Sequence, residues 1–150
     1  MMSQLRSLIM DRRAATVGVL FLVVIIVLAM RAGVSRATSE TVLQDIAFDA
    51  ALATNTTDGK VLVVKATASW CGPCKEMDRT TWVDANVHTW FDANGTAITV
   101  DVDDEAETAA RLRVQAMPTM IAFRSGQEVD RAVGYMDGRE LLRWLDGVVE

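Results

Sequence analysis

Only two of the 150 residues are cysteine and only one is histidine. Both cysteines lie in one run, Ser69-Trp70-Cys71-Gly72-Pro73-Cys74-Lys75. With no third cysteine, the chain has nothing from which to build a separate structural disulfide. Zinc takes four ligands, commonly two Cys-x-x-Cys pairs or one pair with two histidines. Here one pair and His88 are all there is, so no metal site is assigned. Haem attachment needs a histidine directly after the second cysteine, where Lys75 stands instead. Basic residues are scarce as well. Residues 38–150 carry 10 Lys and Arg against 19 Asp and Glu, a net charge of −9. A domain this acidic lacks the basic face that phosphates require, which argues against a nucleic-acid partner.

Charge is missing altogether from Ala14 to Met30, a run of 17 residues reading AATVGVLFLVVIIVLAM. That length is at the short end for a membrane-spanning helix. Arg6, Arg12 and Arg13 precede it, and Arg31 and Arg36 follow. The small surplus on the N-terminal side favours a cytoplasmic N-terminus and an exported remainder. Two fates fit such a run: an uncleaved signal anchor, or a signal peptide cut near Ala37. The apolar core exceeds the usual signal-peptide length, which favours the anchor. The expected organisation is a cytoplasmic segment (1–13), a transmembrane anchor (14–30), a polar linker (31–42) and one domain (43–150).

Within that domain, Ile46 to Leu52 has a weak helical pattern, and Asn55-Thr-Thr-Asp-Gly59 is turn chemistry. Val61 to Val64 is a continuous apolar run, as expected of a strand buried on both faces. Helices are expected from Cys71 to about Thr81 and from Asp84 to Asn94, the second closed by Asn94-Gly95. Ala97 to Val102 reads as a strand and Asp104 to Leu112 as a helix whose acids sit at its favourable end. Thr119 to Phe123 and Gln127 to Val133 read as strands joined in a hairpin through Ser125-Gly126. A last helix opens at Asp137-Gly138. The order implies an α/β fold with a mixed sheet of four to five strands flanked by helices.

A Cys-x-x-Cys pair closes so small a ring that it can cycle between dithiol and disulfide. At the start of a helix, free backbone N–H groups and the helix dipole favour the thiolate. Cys71 is therefore the candidate nucleophile, exposed and of lowered pKa. Cys74, one turn inside, is the more buried resolving thiol. Pro73 suits the first helical turn, and Gly72 removes bulk beside the attacking sulfur. Trp70 offers a flat surface beside the pair. Trp82, Trp90 and Trp144 sit at helical spacing with apolar neighbours, so core is their default. His88 reads as a boundary residue. The acids from Asp101 to Glu107 lack the glycine and spacing of a calcium loop and read as a solvated strand end.

The run from Trp70 to Lys75 resembles the active-site motif of the thioredoxin superfamily. Met117-Pro118-Thr119 stands just before a strand, where that family places a cis-proline facing the cysteines, and Gly134 holds the family's usual glycine position. The likeness covers about residues 43–149. Lys75-Glu76, Thr81-Trp82-Val83-Asp84 and Gly134-Tyr135-Met136-Asp137 are similar to the C-terminal periplasmic thioredoxin-like domain of the DsbD family. The resemblance implies a thioredoxin fold after one N-terminal transmembrane helix. It also implies a strand-like contact between a partner and Met117, Pro118 and Thr119.

At one position the pattern breaks. The superfamily usually carries an acid six residues before the first cysteine, held to relay the second thiol's proton; here it is Lys65. An ammonium there favours thiolate rather than accepting its proton. Glu76 is the nearest carboxylate in sequence, and an ion pair between Lys65 and Glu76 behind the pair is expected. The competing expectation is that Lys65 extends its stem to the surface.

The Gly-Pro dipeptide is that of thioredoxin, which sits near about −270 mV, against about −120 mV for the oxidant DsbA. The resemblance therefore implies a protein-disulfide reductase or electron carrier acting on exported proteins. Its partners would be protein disulfides and a membrane-embedded thiol donor, which an anchor holds close. The alternatives are a disulfide oxidant or isomerase, or a binding or chaperone module in which the thiols are incidental.

Overall fold

The computed structural model describes residues 40–150. The expected anchor at 14–30 and nearly all of the linker lie outside the described residues. Among the described residues, no helix is long and apolar enough to cross a membrane.

Among the described residues, five strands and five helices follow one another: β1 (Leu43–Gln44), α1 (Phe48–Asp58), β2 (Val61–Thr67), α2 (Gly72–Thr80), α3 (Ala85–Asn94), β3 (Gly95–Asp101), α4 (Ala106–Arg111), β4 (Thr119–Arg124), β5 (Gln127–Val133) and α5 (Gly138–Val149). The sheet order is β1-β3-β2-β4-β5. β2 runs parallel to β3 and antiparallel to β4, which is itself antiparallel to β5. The sheet is therefore mixed, and five strands is the upper of the two numbers expected.

β2 is central and buried along almost its whole length, which explains its unbroken apolar run. Its side chains still alternate. Val61 and Val63 face a core with Trp82, Trp90, Phe91, Leu141 and Leu145, beneath α2, α3 and α5. Leu62 and Val64 face a second core with Phe48, Ile98, Ile121 and Phe123, beneath α1. By the same alternation Lys65 belongs to the first face. Trp82 and Trp90 are buried, while Trp144 is half-buried, its indole N–H donating to Asp130 at 2.7 Å.

Three local expectations change, and one short strand is added. Asn55 to Asp58 is not a turn but the end of α1, and the left-handed Gly59 (φ 69°) makes the turn. Asn55 is buried: its amide donates to the Lys60 carbonyl at 2.7 Å and accepts from the Gly126 N–H at 2.9 Å. Turn-like composition here serves a buried amide that ties α1 to the hairpin. Gly95 does not cap α3 in a left-handed conformation; it is extended and opens β3. A Cβ there would lie 2.4 Å from the Val61 carbonyl oxygen, so close approach explains the glycine. Ile46 lies before α1 and is exposed, not part of the helix. β1, only two residues long, had no periodicity to read. The hairpin is as expected, with Ser125 and Gly126 both at positive φ.

Candidate active site

β2 ends at Thr67, and three residues carry the chain to Cys71, the N-cap of α2. The loop is closed locally. The Cys71 N–H donates to the Ala68 carbonyl at 3.0 Å, and the Lys75 N–H to the Cys71 carbonyl at 3.2 Å. The Cys71 sulfur takes the place of a capping oxygen, accepting the Cys74 N–H at 3.2 Å. Pro73 occupies the first turn, where its missing N–H leaves no bond unmade. Cys71 and Cys74 are joined as a disulfide. Both sulfurs belong to buried residues, Cys71 at 4% and Cys74 at 0% exposure. In this oxidised form Cys71 is therefore not the exposed residue expected, although it remains the outer of the two.

The facing wall comes from the segment between α4 and β4. The Met117–Pro118 bond is cis. Met117 is half-buried and packs with Ala68 and Val102 against the two cysteines. Thr119 is buried, and its hydroxyl donates to the Ala116 carbonyl at 2.7 Å, which folds the segment back on itself. Gly134, at φ 106°, donates its N–H to the Pro118 carbonyl at 2.8 Å. Only glycine adopts that conformation readily.

Two more groups frame the site. Trp70 is 67% exposed beside Cys71, its indole N–H held by Asp103 at 2.9 Å. On the far side Arg131 braces the proline segment. Its guanidinium donates to the Leu112 carbonyl at 2.8 Å and to both carboxylate oxygens of Glu128, at 2.8 and 3.0 Å. The hydrogen bond from Arg131 holds the Glu128 carboxyl below its usual pKa, with burial acting against it.

Lys65 is buried, so it does not reach the surface, and its ion-pair partner is Asp78, not Glu76. Glu76 instead pairs with Arg79 at 2.6 Å on the exposed side of α2. The reason is helical periodicity. Asp78 is four residues after the buried Cys74 and shares its face of α2, whereas Glu76 is two residues on and points away. Asp78 also lines an open groove of about 420 Å³ with Asp45, Val83 and Thr99, so its carboxylate has water on one side and the Lys65 ammonium on the other. Sequence reasoning missed Asp78, Asp103 and Arg131. For Asp78 the i+4 spacing from Cys74 was a usable signal; the others depend on contacts between distant segments.

Taken together, the sulfurs sit at a helix start, a cis-proline stands across from them, and an ion pair lies behind. Comparison with known proteins agrees with this arrangement: the family model for thioredoxin matches residues 39–147. The chain belongs to the thioredoxin family. A thioredoxin from Staphylococcus aureus is 35% identical over 86 residues, covering 57% of this chain and 80% of that protein. Thioredoxin H2-1 of Oryza sativa subsp. japonica is 45% identical over 80 residues, 53% of this chain; the match spans only 54% of the rice protein's length. Among solved structures, a thioredoxin from Thermus thermophilus superposes with a TM-score of 0.63 at 27% identity, covering 71% of this chain and 87% of the other. A thioredoxin from Malassezia sympodialis superposes with a TM-score of 0.59 at 30% identity, covering 74% and 94%. As a thioredoxin-family protein, the chain is a disulfide oxidoreductase with its redox centre at Cys71–Cys74.

Proposed function

We propose that this thioredoxin-family protein is a protein-disulfide reductase and electron carrier for exported proteins, held at a membrane by residues 14–30. The observation that carries the chemistry is the Cys71 sulfur at the N-cap of α2, facing Met117–Pro118. In the reduced protein the Cys71 thiolate attacks a partner disulfide. A new S–S bond forms to one partner sulfur, and the other leaves with the electron pair and takes up a proton. Cys74 then attacks Cys71, the mixed disulfide breaks, and the second partner thiol departs. The chain is left as the Cys71–Cys74 disulfide, having passed on two electrons.

Cys74 must lose its proton for the second step, and we place its acceptor at Asp78. A carboxylate one turn away on the same helix face, with access to water, supports this. Lys65 acts as a positioning residue that holds the carboxylate toward the sheet. Restoring the dithiol requires a donor. The likeness to the DsbD family and the apolar segment support a membrane-embedded thiol carrier in that role.

The test is direct. Cys71→Ser should abolish reduction of insulin disulfides, and Cys74→Ser should accumulate mixed disulfides. A reduction potential near about −270 mV fits a reductase, and one near about −120 mV makes the chain an oxidant or isomerase instead. Activity that survives in Cys71→Ser removes the redox reading altogether. Asp78→Asn should slow release of the mixed disulfide about tenfold or more and shift its pH profile, within the span of a lost general base. An unchanged profile places the acceptor elsewhere.

A further inference from the structure

The end of the sheet that carries the cysteines is polarised in charge. Its order follows from the register. The C-terminal end of β3 pairs with that of β2 (Asp101 with Thr67), the start of β4 with β2 (Thr119 with Ala66), and the end of β5 with β4 (Val133 with Thr119). Crossing that edge from β3 to β5, one meets Asp101, Asp103, Asp104 and Glu105, then Trp70 and Cys71, then Met117 and Pro118, and last Val133 and Tyr135. Trp70 is bonded to the acidic side through Asp103. Val133 and Tyr135 are exposed apolar side chains on the other side.

Beyond the proline lies a groove of about 360 Å³, lined by Arg113, Gln115, Ala116, Thr119, Arg131 and Val133. Its two arginines differ in kind. Arg131 is engaged by Glu128 and the Leu112 carbonyl. Arg113 is exposed, and among the described residues its guanidinium forms no ion pair, its charge reaching Glu128 only at longer range. Arg113 also holds φ 53°, a left-handed conformation that costs a non-glycine residue energy. Its carbonyl accepts from Arg131 at 3.4 Å, so the brace and the strained residue form one unit. An open cation kept in a strained position beside the docking edge, within residues 38–150 of net charge −9, is placed to meet a negative group.

We propose that the favoured disulfide partner carries an acidic side chain within a few residues of its attacked cysteine, on the side that runs over the proline segment, and that Arg113 binds it. The acids near Trp70 disfavour a second acid on the opposite side. The charge gradient thereby sets which way the partner segment lies across Met117. This inference rests on the reductase reading and adds the sequence class of the substrate.

Mixed disulfides of short cysteine peptides with nitrothiobenzoate test it. Cys71 bonds to the peptide sulfur, the peptide–aryl disulfide breaks, and the coloured aryl thiolate leaves with the electron pair. A peptide set would carry Asp, Ala or Lys at each position around the cysteine, and the rate ratio of Asp to Lys peptides would be read within each protein variant. In the unaltered protein, Asp is expected to outpace Lys by about two- to fivefold on one side of the cysteine only, the range of an exposed ion pair. The ratio should fall toward one in Arg113→Gln, invert in Arg113→Glu, and shrink at about 0.5 M salt. Equal rates at every position, or a ratio that survives Arg113→Gln, overturn the proposal while leaving the reductase reading in place. A chain that reduces no peptide, charged or uncharged, removes both.

Discussion

The two walls of the redox site are built in opposite ways. The cysteine wall is mainly local: the backbone and sulfur bonds that close the loop from Ala68 to Lys75 join residues within four positions, and the Trp70 indole alone is tied further away, to Asp103. The proline wall is held from afar. Arg131 reaches back to Leu112, and Gly134 to Pro118. The first wall is thus set by short-range rules of helix starts and prolines, while the second exists only once β5 has paired with β4. A local motif can place a nucleophile, but the surface that a partner reads depends on long-range folding.

The largest effect is expected behind the cysteine wall. Asp78→Ala leaves the Lys65 ammonium buried without its partner and should cost about 3 kcal/mol of stability in chemical denaturation. Lys65→Met replaces a buried stem with an apolar one and leaves a carboxylate that already faces water, so it should stay within about 1 kcal/mol of the parent. Equal losses in the two variants would show that the pair is not asymmetric in burial.

Next comes the distant brace. Arg131→Met removes the bonds to Leu112 and Glu128 and should cost about 2 kcal/mol, the scale of charged hydrogen bonds. If the two walls are independent, KM for a protein disulfide should rise far more than for a small aromatic disulfide. Equal changes for both substrates would mean that the brace also holds the cysteines. Gly134→Ala has room for its methyl group but not the backbone freedom, and should cost about 1 kcal/mol.

The smallest effect is one of pH. Arg131 holds the folded carboxyl of Glu128 below its unfolded pKa. Its contribution is therefore fully present above the unfolded pKa and is lost as pH falls through the folded one. The Tm difference between the parent and Glu128→Gln should shrink as pH falls from about 5 through the carboxylate range. A constant difference across that range would show that Glu128 does not titrate against Arg131.

The same contrast explains what could be read in advance. β2, its helix and the hairpin at Ser125-Gly126 were legible because burial pattern, proline position and turn chemistry act over a few residues. So was α5, whose Asp137 and Glu140 form a capping box. Asn55 escapes such rules: Asn-Thr-Thr-Asp-Gly has turn composition, whereas its amide is satisfied by the Lys60 carbonyl and by Gly126 on a distant hairpin. Nearness in sequence points Lys65 to Glu76, but a helix turns its faces every 3.6 residues and presents Asp78 instead. Arg113 gave no signal, since nothing local marks it as left-handed.

Asn55 has one more consequence. The tip of a two-residue hairpin is normally the first backbone to trade its hydrogen with water. At Gly126 the N–H is instead sealed by the Asn55 side chain. Its exchange rate therefore measures how often α1 lifts from the sheet, and one amide serves as a built-in gauge of the side of the domain away from the sulfurs.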